Sequence, residues 1–219
     1  MLHPDLEVVK DCQSLISDWL TALGLELKSS KTKIVHTLNP VGENKPGFDF
    51  LGFSIRSYPV GKTNSGKNNG KLTGFQTFIN PSKANVKAQY QKIAEHIESL
   101  KAAPQTRIIS DLNPAIRGWS NYYATVVSKD TYSKLDALLW KKLWRWAKFR
   151  HPKKGKKWIA NRYWLIDKGE GWRFSDGVLK LLRHAETPIR RHIKVKGTAS
   201  PYDGNWTYWS KRRGSFPHG

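Results

Sequence analysis

The residues of this chain best suited to chemistry are cations and aromatic rings. Between Ala137 and Ile166 there are ten Lys or Arg and no Asp or Glu. The same stretch holds Trp140, Trp144, Trp146, Phe149, Trp158, Tyr163 and Trp164. Cations neutralise phosphates, and ring faces stack on bases. A disordered basic tail lacks such rings, so an ordered surface is expected, with some rings in a core and some free to stack. For any single Trp, packing is the commoner role.

The whole chain points to a polyanionic partner. Lys and Arg number 38 against 17 Asp and Glu, a formal net charge of +21 over 219 residues. Such a charge opposes compaction by self-repulsion and favours nucleic acid over an anionic membrane surface. Residues 1–100 carry 12 basic and 9 acidic side chains, and residues 101–219 carry 26 and 8. Nine of the ten Trp lie between Trp119 and Trp209. Two functional parts are therefore expected. Cys12 is the single cysteine, which excludes an intramolecular disulfide and a cysteine zinc cluster. It reads as a buried helix residue. No apolar run reaches about 18 residues and the N-terminus is not a secretory signal, so a cytoplasmic protein without a membrane partner is expected.

Periodicity supplies the elements that would position these groups. Residues 4–23 read as an amphipathic helix with Leu6, Val9, Cys12, Leu15, Ile16, Trp19, Leu20 and Leu23 on one face, Pro4 in its first turn and Gly24 as its stop. Leu25–Lys28 and Lys33–Thr37 alternate like short strands. Phe48 to Arg56 reads as a strand pair bent at Gly52. A glycine-rich mobile loop, 59–74, precedes a strand at Phe75–Ile79. Ser82 caps a helix with Val86, Tyr90, Ile93, Ile97 and Leu100 as its stripe. A further helix is expected to break at Asn113-Pro114, with Asn113 capping its successor. Asp130 then caps a long helix with Tyr132, Leu135, Leu138, Leu139, Leu143 and Trp146 buried and Lys141, Lys142, Arg145 and Lys148 largely on the remaining surface. After Pro152 the pattern is irregular, with a basic loop at Lys153–Lys157, short strands at Trp172–Phe174, Ile193–Val195 and Trp206–Tyr208, and a turn at Pro201–Asn205.

Three stretches resemble the group II intron reverse transcriptases, or maturases. Gly24-Leu25-Glu26-Leu27, Ser30-Lys31-Thr32-Lys33 and Gly47 to Phe53 are similar to the end of the family's palm. Leu112-Asn113-Pro114 through Arg117-Gly118-Trp119-Ser120-Asn121-Tyr122-Tyr123 resembles the signature of the maturase-specific domain X, the helical thumb. Arg190 to Gly197 with Ser200-Pro201-Tyr202-Asp203-Gly204 looks like the segment that leads, in some members, to an HNH nuclease.

The resemblance implies an α+β fold. It comprises an incomplete palm remnant at 1–80 (a helix plus short antiparallel strands), a helical domain X at 81–150, and a small irregular basic DNA- or RNA-binding module at 151–219. It implies group II intron RNA as partner, target DNA as a second one, and a role in splicing and mobility. Arg117, Lys141, Lys142, Arg145, Lys148 and Arg150 are the candidate RNA contacts. Lys153, Lys154, Lys156 and Lys157 form a patch facing RNA or DNA. Lys31, Phe50 and Gly52 are palm remnants. The chain has no Asp-Asp pair, whereas two-metal nucleotidyl transfer needs carboxylates for both ions. Asp5, Asp11, Asp18 and Asp49 are scattered. No catalytic residue, metal ligand set or cofactor is assigned, Mg2+ being expected only in a complete polymerase. His184, His192 and His218 read as solvated or base-stacking. The chain is thus expected to be a truncated maturase, inactive alone. The alternatives are part of an RNA-directed DNA polymerase completed by a missing N-terminal fragment, or a nonfunctional remnant.

Overall fold

The computed structural model describes residues 3–61, 64–68, 70–167, 171–190, 195–197 and 199–214. Among them are six α-helices and seven short antiparallel strands, an α+β arrangement. The chain divides into two compact units, Met1–Ile189 and Arg190–Gly219.

The first unit opens on α1 (Leu6–Ala22). Asp5, not Pro4, fixes its start: the carboxylate accepts from the Glu7 N–H at 3.0 Å. Gly24 ends it at φ +73, where a left-handed residue lets the Leu25 N–H return to the Leu20 carbonyl. The apolar stripe of α1 is real but uncovered. None of its residues is buried, and Leu15 and Trp19 are 68% and 64% exposed. Cys12 is half-buried, not buried as expected.

The expected strands at Leu25–Lys28 and Lys33–Thr37 do not form. The Lys31 and Thr32 N–H groups both turn back to the Lys28 carbonyl, and the second segment makes single bonds instead of a ladder. Gly47 donates to the His36 carbonyl and Ser57 to the Thr37 carbonyl, each at 2.9 Å. Alternation alone does not make a strand without an edge to pair with.

The strand pair at 48–56 is present. β1 (Phe48–Phe50), β2 (Phe53–Pro59) and β5 (Phe75–Pro81) form one antiparallel sheet in that order, with Phe48 opposite Ile55 and Phe53 opposite Pro81. The glycine-rich loop carries a two-residue hairpin of β3 (Lys67–Asn68) and β4 (Lys71–Leu72). Gly52 stands at the β1–β2 bend with φ +80. A Cβ there would lie 2.1 Å from Asn85 Nδ2 and 2.8 Å from the Tyr123 hydroxyl, so two neighbouring helices close on this point.

Ser82 caps α2 (Lys83–Ser99) as expected, its hydroxyl accepting from the Asn85 N–H. The next helix corrects the sequence reading. α3 runs unbroken from Gln105 to Tyr122 with Pro114 inside it. An internal proline forfeits one helical bond and costs about 3 kcal/mol. Asn113 does not cap. Its amide donates to the Lys180 carbonyl at 3.0 Å, and its carbonyl accepts from the Leu182 N–H at 2.8 Å. A tertiary crosslink at residue 113 therefore offsets the defect at 114.

α4 (Lys129–Arg150) starts after Ser128, whose hydroxyl bonds the Tyr123 carbonyl, so Asp130 lies in the first turn and is not the cap. Tyr132, Leu135, Leu139, Leu143 and Trp146 are buried as the spacing requires, together with Ala147, but Leu138 is exposed. The region after Pro152 is more regular than expected. α5 (Lys156–Tyr163) leads into a hairpin of β6 (Trp164–Asp167) and β7 (Gly171–Phe174). Ile159, Tyr163, Trp164, Phe174 and Leu181 join Ile93, Ile97, Ile108, Leu112 and Leu143 in one core, which therefore continues past residue 150.

His184 is buried, not solvated. Asp136 holds its segment on α4: the carboxylate accepts from the His184 and Ala185 N–H groups at 2.9 and 3.0 Å and lies 2.7 Å from His184 Nδ1. His192 and His218 lie outside the described residues, as does most of the expected strand Ile193–Val195.

In the second unit the expected strand at Trp206–Tyr208 is instead the start of α6 (Trp206–Gly214). The turn at Pro201–Asn205 is present. Asn205 caps α6 through the Tyr208 N–H, a bond that alternation does not reveal. Asp203 organises the turn, and the Asn205 N–H beside it holds its carboxyl below the usual range.

Two substitutions test this description by urea unfolding. Gly52→Ala should cost about 2–4 kcal/mol, the sum of a left-handed alanine and an overpacked contact. Asn113→Ala should cost about 2 kcal/mol by stranding the Leu182 N–H and Lys180 carbonyl. An unchanged midpoint for either variant contradicts the corresponding contact.

Candidate nucleic-acid interface

The basic side chains named from sequence divide into two groups once α4 and α5 are in place. Lys141, Arg145 and Lys148 are exposed on α4, and Arg117 is exposed on α3. Lys153 and Lys154 are exposed in the turn between α4 and α5, and Lys156 and Lys157 are exposed in the first turn of α5. These eight cations are presented to solvent.

Lys142 and Arg150 are engaged within the chain. Lys142 is half-buried and ion-paired with Glu98 of α2. That hydrogen bond holds the Glu98 carboxyl below its ordinary pKa. Arg150 donates to the Lys101 and Ala103 carbonyls at 3.0 and 2.8 Å and lies over the Trp146 ring. It ties the end of α4 to the α2–α3 connection. Phosphate contact would require these two to leave existing partners. Sequence gave no signal of this, because Glu98 stands 44 residues from Lys142.

The rings also divide. Trp146 is buried, its Nε1–H donating to the Leu100 carbonyl at 2.9 Å, and Trp164 is buried beside it. Trp140, Phe149, Trp158 and Trp172 remain exposed. Trp140 stacks on Trp144 at 5.4 Å with planes 12° apart, and Lys154 lies over Trp158. Cationic and aromatic surface thus interleave along α4, the 151–155 turn and α5. Trp172 was missed as a member of this surface, since it arrives from β7 across a hairpin.

The domain X signature residues do structural work. Tyr122 donates to the Leu51 carbonyl at 2.8 Å and Tyr123 to the Gly52 carbonyl at 3.0 Å, while Phe53 packs between their rings. Trp119 packs on Tyr123, as their four-residue spacing implies. Of the three residues read from sequence as palm remnants, Gly52 is the point this clamp grips. Phe50 is 60% exposed and lines the cleft beneath α1, and Lys31 is exposed in the turn after Lys28. Lys31, Phe50 and Gly52 are not gathered with the cations of α4 and α5 into any cavity among the described residues.

Among the described residues no group of three or more His, Cys, Asp or Glu could hold a metal ion, and no helix is long and apolar enough to cross a membrane. No curated protein matches this chain significantly. Residues 86–164 match the family model of the group II intron maturase-specific domain. That span begins in α2, contains the Arg117–Tyr123 signature and all of α4 and α5, and ends at the first residue of β6. Tyr122, Tyr123 and the cationic helix α4 therefore lie in the segment that gives this chain a maturase-type region.

Proposed function

We propose that this chain binds structured group II intron RNA and assists splicing and mobility by holding RNA, without polymerising. The observation that carries this reading is the solvent-facing run of cations on α4, the 151–155 turn and α5, interleaved with exposed rings inside the matched domain. The RNA supplies the chemistry. The protein neutralises phosphates and orders a fold. Target DNA is a second ligand, met by the Lys153–Lys157 patch.

A second reading is favoured by the open face of α1. Leu6, Val9 and Ile16 line a cleft of about 710 Å³ together with Phe48, Phe50 and Ile55. A separate upstream palm fragment would cover it and bring the aspartates and Mg2+ that a polymerase requires. Primer extension that appears only when such a fragment is added would establish this reading.

For the first reading, about 6–10 phosphate contacts predict a fall in affinity of roughly 10³–10⁵ between 50 and 200 mM salt. Filter binding with a folded intron RNA measures it, and a flat response sinks the proposal. The triple variant Lys141→Ala, Arg145→Ala, Lys148→Ala should weaken binding to every RNA sequence alike and reduce the salt slope by about three. Glu98→Gln should act in the opposite direction. It releases Lys142 from its internal partner, so affinity should rise several-fold and the slope steepen by about one.

A further inference from the structure

A cleft of about 510 Å³ opens between α4, α5 and β7. Its walls are Trp140 and Trp144 from α4, Trp164 from β6 and Trp172 from β7, and Lys156, Lys157 and Asn161 stand at its α5 side. The size falls within the ~300–1,000 Å³ range of small-ligand sites. The lining is mostly apolar, with four indoles and Ala160 in it, which would be costly to leave open to water if packing were its only role.

Trp164 is buried and in ring contact with Trp140 and Trp144 at 6.1 and 5.2 Å, so the floor is fixed. Trp140 and Trp172 keep 46% and 45% of their surface exposed. Both flank the opening. The cluster has a rigid base and free upper faces, and its cations sit on one side only.

That asymmetry decides the ligand. An apolar peptide would use the indoles and gain nothing from two lysines. A duplex presents phosphates and keeps its bases stacked inside. An unpaired nucleotide offers both a flat π-face and an adjoining phosphate. We propose that this cleft receives an unstacked base from a single-stranded RNA segment, the base lying against Trp140 and Trp172 and its flanking phosphates meeting Lys156 and Lys157. Asn161 supplies an amide donor and acceptor to the base edge. The inference rests on the RNA-binding reading above and names the part of the RNA this site recognises: a bulged or looped nucleotide.

The test compares two probes of equal length and charge with the full chain, a ten-nucleotide oligoadenylate and its abasic counterpart. Stacking contributes a factor of about 5–150 in affinity per base, so the oligoadenylate should bind tighter by that order and quench tryptophan fluorescence. Trp140→Ala should abolish the difference while leaving abasic binding unchanged. Lys156→Ala with Lys157→Ala should weaken both probes equally. Circular dichroism of Trp140→Ala verifies its fold, and Trp172→Ala, on a different element, should reproduce its effect. Equal, salt-sensitive binding of both probes overturns the base site and leaves the RNA-binding reading standing. Binding of neither probe, together with no binding of folded intron RNA, overturns both.

Discussion

The position of Tyr123 is the constraint on which the rest of this structure depends. Its ring is buried against Phe53, Trp119 and Tyr122. Its hydroxyl donates to the Gly52 carbonyl and accepts from Asn85 Nδ2 at 2.9 Å, and its carbonyl accepts from the Ser128 hydroxyl that opens α4. One residue thereby joins the β1–β2 bend, α2, α3 and α4. A buried phenol must satisfy its oxygen, and here both halves of that requirement are met by different elements. Tyr132 repeats the arrangement one layer deeper. Its hydroxyl donates to the Ser120 carbonyl, and burial raises its pKa.

Fixing α4 in this way gives one helix two tasks. Its 3.6-residue period sends Leu135, Leu139, Leu143 and Trp146 inward and leaves Lys141, Arg145 and Lys148 outside. A chain of net charge +21 must still close its core against self-repulsion. It does so by pairing the cations that come nearest the interior. Lys142 meets Glu98 and Arg173 meets Glu186; on the surface, Arg107 meets Asp111 at 2.8 Å, which holds that carboxyl below its ordinary pKa. Lys129 spends its charge on the Ala185 and Thr187 carbonyls. The surplus faces solvent.

Local order was legible in the sequence where one segment sufficed to specify it. The α2 cap at Ser82, the bend at Gly52, the antiparallel pairing around it and the buried face of α4 all follow from spacing and residue type. What was not legible depends on partners distant in the chain. Asn113 reads as a cap until Lys180 and Leu182 arrive to bond it. Lys142 and Arg150 read as free cations until Glu98 and the carbonyls of Lys101 and Ala103 claim them. His184 reads as solvated until Asp136 folds it under Trp119. The exposed surface was accordingly half legible: Lys141, Arg145 and Lys148 face solvent on α4 as the spacing implies, whereas Lys142 and Arg150 do not, and Trp172 and the cleft it completes needed the β6–β7 hairpin. Trp206–Tyr208 fails for a nearer reason, since an Asn205 cap outweighs a short aromatic alternation.

The two ends of the first unit meet at a small set of contacts around the β1–β2 bend and β5. Among the described residues, the connected hydrophobic core is built from residues between Ile93 and Leu181, with no member from residues 1–80. The β1–β2 bend leans on that body through the Tyr122 and Tyr123 hydroxyls and through the Ser82 N–H, which donates to the Gly52 carbonyl at 2.8 Å. Phe53 packs on Tyr122 and Tyr123, and the Val127 N–H donates to the Ile79 carbonyl of β5 at 3.0 Å. The helical part holds the buried core, while α1 and the sheet leave much apolar surface exposed, as at Leu15, Trp19 and Phe50. Hydrophobic area left in water contributes no stability, at about 25 cal/mol per Å² forgone. A polyanion neutralised by α4 and α5 would act on the helical part, and a protein surface covering α1 would act on the exposed apolar one. The two faces lie on different parts of the first unit, and the tyrosine clamp at residues 51–52 is a direct physical link between those parts.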